Sequence, residues 1–598
     1  MLNQIINLFL IISTAQAATQ ICKPYQLKTQ YKSENLKFQD FMDIDWDQSM
    51  KESPEFASDL GDVKAAGLWN DDSLESIARK DARLKCAELA IKKVNRAQLS
   101  KFNQTNYDLS ANRIAMGLQA IQFNSHLMPL NQLGGIHTDL IDTLSSMPKQ
   151  SVADVENILK RLSTADQKVK QHMILLKAGL DKKMTPPQIV LSKVVSQFDS
   201  ILTTSVDDSA LFTPFKNLSK IPQSQAAGFQ KQAREIILSK LYPELENLRT
   251  FLKQTYIPSS RTDSVSVQSL PLGDIWYKWA IQYHTTTDMT ADQIHQIGLS
   301  EVKSIITEMS DIKNKVGFKG SLAQFNKYLL SDSKFFFKDP QELMLAYRNI
   351  AKLADAAMPQ LFETLPRLTY GVREMPAYKA PTAPTAYYHP GSPELGRAGF
   401  FEANTHDLKA RPKWGMEALT LHEAVPGHHM QISISQELKG MPKFRKYSGY
   451  TAFGEGWGLY AENLGEEMGF YTDPYSKYGQ LSFEMWRAIR LVVDTGLHSK
   501  NWTRDQAIDY FTNNMAKSKI EIEVEVDRYI VWPGQALAYK VGQLKFLELR
   551  KRAEEKLKEK FNVRKFHDVV LGQGAIPMDL LEKEVDQWIQ SQEKTKLM

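Results

Sequence analysis

Residues 421–431 read LHEAVPGHHMQ, three imidazoles and a carboxylate packed into one short stretch. These are the side chains that hold a divalent metal and move protons beside it. His422-Glu423 opens as the HExxH helix of zinc peptidases does, but Pro426 stands at i+4, where the second histidine belongs. On a regular helix His428 points about 120° away from His422, and His429 shares its face about 10 Å along the axis. A zinc ion with bonds about 2 Å long bridges neither pair. Pro426 lacks the N–H that would bond back to residue 422, and Gly427 tolerates unusual dihedrals. A bulged or interrupted turn is therefore expected to return one late histidine to the metal.

Such a site needs a third ligand. The two cysteines, Cys22 and Cys86, are too few for a thiolate centre, so His and carboxylate must serve. Residues 449–463 read GYTAFGEGWGLYAEN, with Glu455 where a second helix begins and Glu462 two turns further on the same face. Two histidines and Glu455 leave one zinc position open for water, Glu423 is the candidate base, and Glu462 the candidate partner of a ligand histidine. Arg487, Arg490, Asp494 and His498 recur at three- and four-residue steps on another helix. Arg490 is a candidate for holding a substrate carboxylate and His498 for donating to an oxyanion; a buried salt-bridge network is the competing reading.

Helices must position these groups. Capping patterns open at Thr185-Pro186, Thr290 with Gln293, Asp339-Pro340 and Thr503 with Gln506, each ahead of apolar residues at helical spacing. Strand-like runs are few. Gly399–Asn404 is the best, and as an edge strand it would pair with an extended substrate, with Asn404 touching the substrate backbone. A proline-rich loop, 375–399, precedes it. The expected fold is mainly α, a large multi-helix zincin-like assembly with a small β-sheet edge beside the metal helix. The polar stretch 258–269 is the best internal boundary, giving an N-terminal helical region at 18–257 and a catalytic region at 258–598.

Composition restricts the partners. A chain of 598 residues, 42% apolar and 24% charged, affords a large core. A net charge of +5 without a long basic run gives no case for nucleic acid. Residues 4–13 are apolar and end near Ala15-Gln16-Ala17, so residues 1–17 read as a cleaved signal peptide. No later stretch reaches about 18 apolar residues, so no transmembrane segment is expected in the mature chain. The expected location is exported, periplasmic or secreted, where Cys22 and Cys86 have the chance to pair.

The strings HEAVPGHHMQ, GEGWGLYAEN, RAIRLVVDTGLH and PGQALAYKVG resemble a large bacterial family of exported proteins with an HExxPGHH signature. That family looks like a distant branch of the gluzincin metallopeptidases, the thermolysin-like and angiotensin-converting-enzyme-like group. The resemblance covers roughly residues 270–550. It implies Zn²⁺ held by His422, by His428 in preference to His429, and by Glu455, which matches the downstream glutamate of that group. It further implies a tyrosine hydroxyl at the tetrahedral intermediate, with Tyr529 and Tyr539 as candidates. The expected activity is hydrolysis of peptide bonds in short peptides. The alternatives are another zinc hydrolase, an amidase or esterase, or a non-catalytic binding protein on the same scaffold.

Overall fold

A computed structural model describes residues 20–202, 205–376, 380, 383–394, 396–447, 449–515 and 517–594. The signal-peptide expectation for residues 1–17 falls outside them. The chain divides into two compact units. One runs to Ser264 and includes Leu270–Leu272; the other comprises Val265–Ser269 and everything from Gly273. The exchange between them begins inside the polar stretch 258–269.

The first unit is helical, from Glu34–Glu52 through Tyr242–Phe251. Its helices bury one side each, with Phe38, Phe41, Leu109, Leu140 and Phe198 among the side chains withdrawn from water. Cys22 and Cys86 are joined by a disulfide, tying the N-terminal turn to the helix Leu74–Ile91. One helix start differs from expectation. The helix after Thr185 begins at Gln188, because the Thr185 hydroxyl accepts from the Arg261 backbone N–H instead of capping.

The second unit carries the candidate site residues named above. Its main helices are α1 (Ala291–Lys315), α2 (Pro340–Leu361), α3 (Met416–Glu423), α4 (His428–Glu437), α5 (Thr451–Leu464), α6 (Pro474–Ser499), α7 (Lys519–Val531) and α8 (Ala538–Leu557). The capping boxes at Thr290 and Thr503 are formed, and Asp339 caps α2. These helices pack chiefly as pairs, α1 along α6 and α5 along α8. Three strands make the only sheet among the described residues: β1 (Tyr370–Glu374), β2 (Ala386–His389) and β3 (Gly399–Ala403). Their order is β1-β3-β2, with β1 parallel and β2 antiparallel to β3. The expected edge strand, β3, is thus the central one. Its residues Phe401 and Ala403 are wholly buried with Leu343, Met344 and Tyr347 of α2 and Met416 and Leu419 of α3. Burying a side chain such as Phe401 is worth roughly 2–3 kcal/mol, and this core clamps the sheet onto the histidine-bearing helix. Among the described residues, no helix is long and apolar enough to cross a membrane.

Buried imidazoles give this unit an acid limit. His567 is held in one neutral tautomer: Nδ1–H donates to the Leu361 carbonyl and Nε2 accepts from the Tyr460 hydroxyl, both at 2.8 Å. Burial pushes its pKa down to about 3. A depressed histidine contributes stability that is complete above its unfolded value and is lost as pH falls toward the folded one. The window here runs from about 6.5 down to about 3. Unfolding free energy is expected to drop between pH 7 and pH 5, with about 2 kcal/mol of the drop belonging to His567. Urea titrations of wild type and His567→Gln check this: equal slopes against pH would show that His567 titrates normally.

Candidate metal centre

The interruption predicted at Pro426-Gly427 is a full break. Helix α3 stops at Glu423, residues 424–427 form a turn with a cis Val425–Pro426 peptide, and α4 starts at His428. The His429 N–H reaches back to the Ala424 carbonyl, and the Pro426 carbonyl accepts from Trp457 Nε1 of α5. Gly427 is required by contact, since a Cβ there would lie 1.8 Å from the His422 carbonyl oxygen.

The break sends the two late histidines in different directions. His428 faces His422, their rings nearly perpendicular at 4.7 Å. Glu455 lies between them, with Oε2 3.6 Å from His422 Nε2 and 3.5 Å from His428 Nε2. His429 is buried beneath the sheet. Its Nδ1 accepts from the Tyr388 hydroxyl at 2.8 Å, and its ring packs on Tyr370. His422, His428 and Glu455 are the one group of metal-ligating side chains to converge among the described residues, every ligand atom within 4.8 Å of the others.

Neighbouring groups hold this geometry. Glu462, about two turns beyond Glu455 in α5, accepts from His422 Nδ1 at 2.8 Å, so Nε2 faces the cluster. Gly458 lies under the His422 ring, where a Cβ would come within 2.6 Å of Cε1. Gly456 meets Gly542 of α8 backbone to backbone, fixing the turn that carries Glu455. Burial works against charge on His422, but the Glu455 and Glu462 carboxylates push its pKa up to about 9. Burial likewise opposes a charged Glu455, yet the two imidazoles hold it well below the usual carboxylate range. Two imidazoles thus converge on one carboxylate, a donor set that suits a divalent cation.

Glu423 is partly exposed beside the cluster. Its Oε2 accepts from the Tyr388 backbone N–H at 2.8 Å. The Asn404 N–H donates to the Thr385 carbonyl on the side that faces β3. By strand alternation Ala386 and Tyr388 therefore turn their backbone groups away from β3. The sheet edge next to Glu423 is β2. Sequence reasoning missed this strand and with it Tyr388, although the AYYH run among the prolines was its signal.

The other candidates occupy different settings. Asn404 is buried and uses its amide on the carbonyls of Ala380, Ala383 and Pro384, so it anchors the proline-rich loop and has no donor left for a substrate. His498 is buried too. Its Nδ1 accepts from the Val267 N–H and its Nε2 donates to the Tyr529 carbonyl, which leaves no nitrogen for an oxyanion. The Tyr529 hydroxyl donates to Glu525 and accepts from Arg490 Nε and Trp486 Nε1, a saturated position inside the core. Tyr539 is less engaged, with its hydroxyl accepting from Arg528 at 3.3 Å. Arg490 donates to Tyr529 and Glu525 and stacks over Tyr539, 4.3 Å from the ring centre. Asp494 accepts from Tyr277 and the Gly534 N–H, so the polar series along α6 serves two separate purposes.

A mainly α protein with two histidines and a glutamate converging beside a second glutamate is the class that fold and site define. Residues 54–585 match the family described as bacterial protein of unknown function (DUF885), and the chain belongs to that family. Its fold is similar to that of a crystal structure described as "the putative lipoprotein from Colwellia psychrerythraea", at 27% identity and TM-score 0.88, covering 94% of this chain and 100% of that one. It is also similar to "a putative lipoprotein of unknown function from Shewanella oneidensis", at 17% identity and TM-score 0.71, covering 91% and 99%. No curated protein matches the chain.

Proposed function

We propose that this chain is an exported zinc-dependent peptidase of gluzincin-like design, acting on short peptides. The observation that carries the reading is the convergence of His422, His428 and Glu455 with Glu423 alongside. The donor set fits the ion: tetrahedral bonds of about 2.05 Å put ligand atoms about 3.3 Å apart. The two Nε2–Oε2 separations, 3.5 and 3.6 Å, need only a small contraction. When bound, zinc acidifies a coordinated water and polarises the scissile carbonyl.

The chain's own groups do the rest. Glu423 accepts the proton of the attacking water and returns it to the leaving amine. The Tyr388 N–H holds one carboxylate oxygen of Glu423, which leaves the other available to take the proton. The outward edge of β2 offers backbone groups to an extended peptide. Glu462 keeps Nδ1 of His422 protonated and Nε2 available. Export is supported by the Cys22–Cys86 disulfide, a feature of oxidising compartments, and by the lipoprotein descriptions of the two solved neighbours.

Purified protein is expected to bind about one zinc ion per chain and to cleave members of a mixed peptide library in a chelator-sensitive way. Elemental analysis with library digestion checks both. Protein that takes up no zinc after supplementation would rule the reading out. Zinc-loaded protein that cleaves esters or simple amides but no peptide would move it to another hydrolase class.

A further inference from the structure

Behind the metal ligands lies a concentration of positive charge that the peptidase chemistry above does not use. Glu462 links the two: its Oε1 is 2.8 Å from His422 Nδ1 and 3.7 Å from the Arg487 guanidinium. One turn along α6, Arg490 shares the rings that Arg487 touches. Arg487 is 5.1 Å from the Trp486 ring centre and 6.0 Å from Tyr539, and Arg490 is 4.7 and 4.3 Å from the same two. Arg528 donates to the Tyr539 hydroxyl, and Lys517 sits 4.2 Å from the ring centre of Trp486.

The carboxylates near these cations are largely committed. Glu525 takes Arg490 and Glu521 takes Lys517, while Glu455 and Glu462 serve the histidines. Arg487 and Arg490 are only 5% and 3% exposed. Arg487 Nε, Arg490 Nη1 and Arg528 Nε are buried without a hydrogen-bond partner. Buried charged donors left unpaired are costly, and three of them on neighbouring guanidinium groups mark a place where an anion completes the set. Burial, resisted by Glu462 and aided by Arg490, pulls the Arg487 guanidinium below its ordinary value. The cluster opens to solvent at Arg528, which is partly exposed on α7 between the exposed side chains of Val524 and Trp532.

We propose that Arg487, Arg490 and Arg528, lined by Trp486 and Tyr539, form a carboxylate-binding pocket, so that the preferred substrates are peptides presenting a carboxylate to it. The assignment rests on the peptidase reading for its substrate but not for its binding chemistry. Guanidinium groups grip carboxylates through paired N–H bonds, and the flanking rings exclude water from the contact. The carboxylate comes either from the peptide's C-terminus or from an acidic side chain.

Calorimetry on the full-length Glu423→Gln protein reads binding without turnover. The probes are N-acetyl-Ala-Phe as the free acid, its C-terminal amide, and N-acetyl-Ala-Glu amide. The free acid is expected to bind at least about tenfold more tightly than its amide, as a charge-assisted contact allows. The glutamyl amide identifies the source: affinity equal to the free acid means that a side-chain carboxylate suffices, and affinity equal to the phenylalanyl amide means that the C-terminus is required. Arg490→Gln and Arg528→Gln should each erase most of the preference. Arg528→Gln carries the test if the buried Arg490 variant fails to fold. Equal binding of acid and amide, or a preference that survives in folded Arg528→Gln, overturns the pocket. A preserved preference in a protein whose wild type cleaves no peptide overturns the peptidase reading and leaves the pocket standing.

Discussion

Glu423→Gln is expected to keep its zinc and lose at least about 10²-fold in turnover. The change removes a proton acceptor and leaves every ligand atom in place, because Glu423 is absent from the converging group His422, His428 and Glu455. The fold should hardly notice. The substituted amide retains a side-chain oxygen to accept the Tyr388 N–H, and the position is only partly buried. Elemental analysis, thermal melting and peptide turnover on the same preparation separate the possibilities. Near-normal turnover would assign the base to another group, and loss of zinc together with activity would mean that Glu423 supports the ligands after all.

The second large effect concerns the paired histidines. His428→Ala should lower zinc affinity by several orders of magnitude, since it leaves one imidazole and one carboxylate. His429→Ala should spare zinc and instead cost stability. It empties a buried position and removes the acceptor of the Tyr388 hydroxyl, on the order of 2–3 kcal/mol. Competitive chelator titration and urea unfolding read the two quantities separately. The opposite pattern, with His429→Ala losing zinc and His428→Ala keeping it, would refute the ligand assignment. Deleting Pro426 and Gly427 restores HExxH spacing on paper yet should bind zinc poorly. The Pro426 carbonyl holds Trp457, and α5 is packed against the turn as it stands.

The break at Pro426-Gly427 was legible because proline and glycine have local, sequence-independent effects on a helix. The same holds for the capping boxes at Thr290 and Thr503, and for Glu455 and Glu462, whose spacing places both on one face of α5. What escaped was set by tertiary partners. Arg487, Arg490, Asp494 and His498 share a helix face on paper, but what each one does depends on what packs there. For Asp494 and His498 this is Tyr277 and Val267, more than 200 residues earlier in the chain. Asn404 reads as a strand residue beside the site. It became the anchor of a loop because β2, a strand set inside the proline-rich segment, took the edge from β3. The Thr185 start failed for a related reason, a backbone N–H at Arg261 competing for the hydroxyl.

The glycine contact between α5 and α8 has a bearing on where the site ends. His422, His428 and Glu455 all lie before Gly456, so a fragment stopping there would carry the whole candidate ligand set. Gly542 supplies the surface on which that segment rests, with no side chain on either helix to take up slack. The information that locates Glu455 is therefore spread over a long further stretch of chain. A bulkier residue at position 542 would displace Glu455 as directly as a change next to it, without touching the histidines.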